Sequence, residues 1–394
     1  MSDPFLPLSA PVITGNERAY VEDCLDTGWV STSGGHVRRF EQALCELTGS
    51  PFAVACNSGT SALHVSLISS GIGHGDAVIA PAVTFIASCN AIAYTGARPV
   101  FVDCDDFLCM DPESVESYLT DGCESSPLGP VDRLTGLRVR ALMPVHVFGN
   151  PCDMVALMRI AKNHGLAVIE DAAESVGSRW TAGPLAGRHT GTVGTIGAMS
   201  FNGNKIVTCG GGGAILTSDE AVATRARHLT TQAKTDAVRF VHDAVGYNYR
   251  LTNVAAAIGV GQLENLHTFI ATKKRNLNTY AEEFSDTPGL EMLGTPDGTA
   301  PNHWFYTLLI DAKEAGADRD AIMAHLLENG IESRPLWELN NRQSPYREDR
   351  AWATERSAAI HSRALNLPCS SDLTEAGVRR VCDAVRQACR KGLG

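Results

Sequence analysis

From residue 52 onward, short continuous apolar runs alternate with stretches of helical pattern, and that alternation leaves few folds open. The runs cover 52–55, 77–80, 99–102, 140–147, 167–170 and 196–201, and 214–217 adds another. Helical patterns lie between several of them, at 61–70, 85–94 and 154–163. A strand apolar along its whole length is buried on both faces. Strands of that kind separated by helices predict an α/β fold with a mostly parallel, seven-stranded sheet between helices. Two helices, 16–28 and 36–48, precede it. Residues 252–284 read as one long helix, Ala- and Gly-rich at first and then charged. Beyond it come a strand at 304–310, a helix at 318–328 and a closing helix at 374–390. This predicts a large domain, 1–265, and a smaller α+β domain, 266–394. Gly, Ser and Pro crowd residues 121–136, which predicts a surface loop.

The chain has 394 residues, with Lys+Arg 33 against Asp+Glu 44, a formal net charge of −11. That acidity argues against nonspecific binding of nucleic acid or an anionic membrane, while leaving a locally basic pocket possible. The 12 cysteines are scattered, with no C-x-x-C pair, and read as small core residues rather than metal ligands. No basic start followed by an apolar run marks a signal peptide, and no stretch is apolar enough to span a bilayer. A reducing cytoplasm is the expected compartment.

Four stretches carry chemistry. N-S-G-T-S-A-L at 57–63 follows a strand and opens a helix. Its small residues would present backbone N–H groups to a phosphate, or simply cap the helix through Ser58 or Thr60. Glu170-Asp171 ends a strand, at the edge where parallel sheets bind ligands. Asp171 would hold a proton on a pyridine nitrogen or cap the following turn. Lys205, in S-F-N-G-N-K, sits between a buried strand and four glycines, Gly210 to Gly213. It is either a nucleophilic amine or a solvated charge. G-Y-N-Y-R at 246–250 is a polar-aromatic turn before the Ala-rich helix.

With P-A-V-T-F-I-A-S-C-N-A-I (81–92) and V-I-E-D-A-A-E-S (168–175), these stretches occur in the order of a known family. The chain resembles the DegT/DnrJ/StrS-type sugar aminotransferases, which are pyridoxal-phosphate enzymes of fold type I, from about residue 8 to 370. The resemblance implies that Lys205 forms the Schiff base with pyridoxal 5′-phosphate and moves the proton. It implies that Asp171 pairs with the ring nitrogen, that Gly59, Thr60 and Ser200 hold the phosphate, and that Phe85 stacks on the ring. Asn248 would reach the phosphate of a neighbouring subunit, implying a homodimer with a shared site. Glu174 stands where many relatives have glutamine or histidine near the ring hydroxyl; a carboxylate there fits one branch. Relatives with histidine in place of the lysine are sugar dehydratases, so Lys205 implies transamination. L-glutamate would be the amino donor, the cofactor cycling through its pyridoxamine form. No metal is implied.

S-F-N-G-N-K-I-V-T-C-G-G-G-G further resembles the branch that aminates UDP-linked 4-keto-6-deoxy-N-acetylhexosamines, on routes to bacillosamine and legionaminic acid. GDP-perosamine synthases look similar but usually carry an acidic residue inside the glycine run. A UDP sugar is therefore expected, with GDP-perosamine-type or dTDP-sugar amination as the alternative. Arg250 and Arg334 are candidates for the diphosphate, and Trp29 and Ser31 for a loop over the sugar nucleotide. His146 and His242 are possible neighbours of the site. Two other classes compete: a non-catalytic regulator of the same fold, and an NAD-binding Rossmann protein. The second lacks its G-x-G-x-x-G loop.

Overall fold

A computed structural model of the chain describes residues 4–236 and 238–392. The apolar runs become β1 (Phe52–Cys56), β2 (Asp76–Pro81) and β3 (Arg98–Val102), then, past a hairpin of β4 (Cys123–Ser126) and β5 (Gly129–Asp132), β6 (Arg138–Leu142) and β7 (Ala167–Asp171). After the two-residue β8 (Arg179–Trp180) come β9 (Ile196–Ser200) and β10 (Gly213–Thr217). The large sheet runs β1-β10-β9-β7-β6-β2-β3. From β9 to β3 every pairing is parallel, and β10 alone lies antiparallel to both its neighbours. All of β2, β9 and β10 is buried, as strands covered on both faces must be. One cover is the helix Gly59–Ser69, which is buried nearly all round and packs on β9, β10 and a second helix, Ile86–Tyr94.

Two expectations are corrected. Residues 121–136 are not a loop: β4 and β5 pair antiparallel, Ser125 opposite Pro130. Gly129 takes φ +109° at the turn, and the Ser126 hydroxyl donates to its carbonyl at 2.8 Å. The same small and turn-forming residues that suggest a loop thus close a hairpin. The long helix is two, Asn253–Glu264 and Leu266–Phe284, meeting at Asn265. The Asn265 side chain donates to the Gly261 carbonyl at 3.3 Å, a local bond that competes with the helical ladder.

A short exposed ribbon, β11 (Lys234–Asp236) with β12 (Val241–His242), precedes these helices. Beyond them lie β13 (Leu290–Met292), β14 (Thr299–Ala300), which pairs with β8, and β15 (Tyr306–Ile310). Then come β16 (Arg334–Pro335), β17 (Arg350–Trp352) and β18 (Ala364–Leu367). The small sheet, β13-β15-β18-β16, is wholly antiparallel. Its core includes Tyr280, Tyr306 and Leu326 and is sealed by the helix Glu375–Gly392. The two halves exchange chain. β17 leaves the C-terminal half to pair parallel with β3, extending that row to eight strands in a sheet that counts ten with β4 and β5, which joins at β6. Leu6, near the N-terminus, bridges Ile331 beside the small sheet.

Candidate active site

β1, β7 and β9 point the same way, so their C-terminal ends open at one edge, where Asn57, Asp171 and Ser200 meet. A cavity of about 840 Å³ lies there, between the large sheet and the small sheet. Gly59, Thr60, Phe85, Asp171, Glu174, Ser200, Lys205 and Arg334 all line it. Trp29, Ser31, Asn248 and Arg250 do not. Trp29 and Ser31 are exposed, their carbonyls pinned by Asn253 at 2.7 and 2.6 Å. Asn248 is exposed too, and its carbonyl accepts from the Asn57 side chain at 3.4 Å. His242 is exposed on the ribbon. His146 is fully buried in an ion pair with Glu170 at 3.0 Å, away from the cavity lining.

The turn that carries Lys205 is pinched at its base. Phe201 N–H donates to Gly212 O at 2.8 Å, and Cys209 N–H to Phe201 O at 2.9 Å. The lysine side chain is only 11% exposed. Its Nζ lies 3.6 Å from Glu174 Oε1 and 3.6 Å from the centroid of the Trp304 ring. Burial pulls the Lys205 ammonium below the ordinary lysine value, with Glu174 and Asp171 opposing. Burial also pushes Glu174 up to about 7, with Lys205 opposing; its Oε2 accepts from Phe148 N–H at 2.8 Å. Asp171 is raised by burial, with the Ser88 hydroxyl opposing from 2.7 Å. A lysine poised to lose its proton beside a carboxyl poised to keep one suits proton transfer near neutral pH.

The residues present fit pyridoxal phosphate. The Ser58 hydroxyl caps the helix by accepting from Ser61 N–H at 3.0 Å, which leaves the Gly59 and Thr60 amides at the helix N-terminus for an anion. Gly59 has to be glycine here, because a Cβ would stand 2.7 Å from Ser200 Cβ. Asp171 supplies a buried carboxylate for a cationic ring nitrogen, and Lys205 an amine on the same cavity. The glycine run has its own explanation. A Cβ on Gly213 would meet the Ser58 carbonyl oxygen at 2.2 Å, and Gly210 has φ +76°. Close packing accounts for Gly213 and the left-handed backbone for Gly210, so the run is a weak reporter of the nucleotide.

The sequence reading does not single out Ser88 or Trp304 for the site. Ser88 stands inside the quoted 81–92 stretch, one helical turn after the exposed Phe85, and that spacing was the available signal. Trp304 was assigned to a strand. The strand starts at Tyr306 instead, because Trp304 N–H donates to Phe148 O and Asn302 Oδ1 rather than to a neighbouring strand.

The fold and this constellation define a pyridoxal-phosphate-dependent transferase of fold type I. A model of the DegT/DnrJ/EryC1/StrS aminotransferase family matches residues 11–386. The chain belongs to that family and is a sugar aminotransferase. It is 37% identical to a GDP-perosamine synthase of Caulobacter vibrioides, over 98% of this chain and 99% of the relative. It is 33% identical to a GDP-perosamine synthase of Escherichia coli O157:H7, over 97% and 98%. The crystal structure of DesI with its TDP-sugar product superposes with a TM-score of 0.87 at 28% identity, covering 99% of this chain and 94% of that one. None of these three carries the UDP-sugar name expected from the glycine run. Among the described residues, no helix is long and apolar enough to cross a membrane.

Proposed function

We propose that this enzyme moves the amino group of L-glutamate onto the keto carbon of a GDP-linked 4-keto-6-deoxy sugar. Lys205, buried beside Asp171 and Glu174 on a cavity large enough for both cofactor and sugar, carries the reading. Two relatives named GDP-perosamine synthase, each matched along nearly its whole length, support the nucleotide. When bound, pyridoxal phosphate supplies the electron sink for the pair left as the donor loses its Cα proton. Lys205 Nζ takes that proton and returns it to the carbon that ends the half-reaction protonated. Asp171 keeps the ring nitrogen protonated. Gly59, Thr60 and Ser200 would hold the phosphate and Phe85 would cover the ring, while Glu174 faces the Lys205 amine at 3.6 Å. Arg334, held by Glu332 at 2.7 Å on the cavity wall, is placed to exchange that carboxylate for a substrate anion.

Trp29, Ser31, Asn248 and Arg250, exposed or half-buried and outside their own chain's cavity, support a homodimer in which each chain completes its neighbour's site. Mixing K205A and N248A subunits, each inactive alone, then restores about a quarter of wild-type sites, because random two-fold pairing builds one intact site in each mixed dimer. No recovery removes the shared site. The twelve unbridged cysteines support a reducing compartment.

The nucleotide is tested by incubating enzyme and L-glutamate with GDP-, UDP- and dTDP-linked 4-keto sugars and weighing the products. Amination of the GDP sugar at the highest kcat/KM is expected. Preference for a UDP-N-acetyl sugar would restore the reading of the glycine run; preference for a dTDP sugar would instead match the product bound to DesI.

A further inference from the structure

Lys205 is free of the cofactor for part of each cycle, while the cofactor holds the amino group, and something must then hold the lysine. The Glu174 carboxylate comes only to 3.6 Å, longer than a hydrogen bond. The Trp304 ring lies 3.6 Å from Nζ, well inside cation–π range, and the residue is 3% exposed.

That ring is fixed at its nitrogen, on one face and through its backbone. Its Nε1–H donates at 2.7 Å to the carbonyl of Asn204, the residue before Lys205, so indole and lysine ride on one turn. Its ring stacks on Phe305, centroids 4.0 Å apart and planes 14° apart. Its backbone carbonyl accepts from the buried Lys273 Nζ at 3.1 Å. Asn302 sets the spacing: its Oδ1 accepts from Trp304 N–H at 3.0 Å, and its Nδ2 donates to Glu174 O at 2.8 Å. One buried amide thus locates both groups that flank the amine. A tryptophan needed only for packing would not require its open face to carry a desolvated ammonium.

We propose that Trp304 is a positioning residue, its indole face the seat that holds the Lys205 amine whenever that amine is not bonded to the cofactor. The proposal rests on Lys205 being the cofactor's amine. The seat favours the ammonium over the amine and holds Nζ on the cavity that Asp171 and Glu174 also line. Glu174 and Asp171 face the lysine from the large domain, and Glu332, Arg334 and Glu338 lie across the cavity. The substitutions below leave all five in place.

The test uses holoenzyme converted to its pyridoxamine form with L-glutamate. Trace acylation with acetic anhydride from pH 6 to 10, read by peptide mass, gives the ionisation midpoint of Lys205. Relative to wild type, W304L lowers that midpoint by about one pH unit, and W304F, with its weaker ring, falls between them. Midpoints unchanged or raised in W304L overturn the proposal. If W304L does not fold, an unchanged or raised midpoint in W304F does so. Failure of the underlying reading looks different: Lys205 would be acylated equally in wild type before and after L-glutamate, showing that it was never bonded to the cofactor.

Discussion

Glu174 shows what a single residue costs and supplies at this site. It is buried, and its carboxyl is raised from 4.5 to about 7. The folded protein therefore keeps this proton longer than the unfolded chain does. Stability from this group is full below about pH 4.5 and is lost as pH rises through about 7. Melting midpoints of cofactor-free wild type fall across that window relative to E174Q, which has no such proton; parallel profiles would show that Glu174 is not held this way. Asp171 is the second case. If Asp171 pairs with the ring nitrogen as proposed, replacing its carboxylate with an amide would remove a charge-assisted bond. D171N is expected to slow the half-reaction with L-glutamate by about a hundredfold while remaining folded, as followed by stopped-flow absorbance. A rate within a few-fold of wild type would remove Asp171 from the ring nitrogen. Both residues were legible in the sequence because each ends or follows an apolar strand. Trp304 was not, since its role depends on Asn302, Phe148 and Asn204, which reach it from three different stretches.

At the scale of elements, burial decided what could be read. β2, β9 and β10 are buried throughout and mostly apolar, and their positions follow within a residue or two from the sequence. β17 was invisible: Arg-Ala-Trp has no apolar run, and its strand exists only because β3 offers an open edge. The break at Asn265 was hidden because both helices that flank it keep a helical pattern. The glycine run gives an element-level prediction. At Gly213 an added Cβ meets backbone atoms of Ser58 at 2.2 and 2.4 Å, forcing β10 away from the start of the helix Gly59–Ser69. At Gly211 the nearest such atom is 3.9 Å off. G213A is expected to cost about 2 kcal/mol or more in chemical denaturation, and G211A within about 0.5 kcal/mol of neutral. Equal effects would mean that the close approach of helix and strand is not what requires glycine.

For the whole molecule, the division at 265/266 is a proposal about sequence rather than about independent folding. Cutting there strips β17 from β3 and removes the wall of the cavity that carries Trp304 and Arg334. It also removes Lys273, whose buried ammonium ties Trp304 O to Cys369 O. Residues 1–265 alone are expected to aggregate through the bared sheet edge, as read by light scattering; a monodisperse, cofactor-binding fragment would contradict this. Both halves converge on one nitrogen atom, and the most direct measurement asks what is bonded to it. Borohydride reduction of the purified holoenzyme, followed by peptide mapping, should place the phosphopyridoxyl adduct on Lys205 and leave none in K205A. An adduct on another lysine, or its persistence in K205A, would contradict the account.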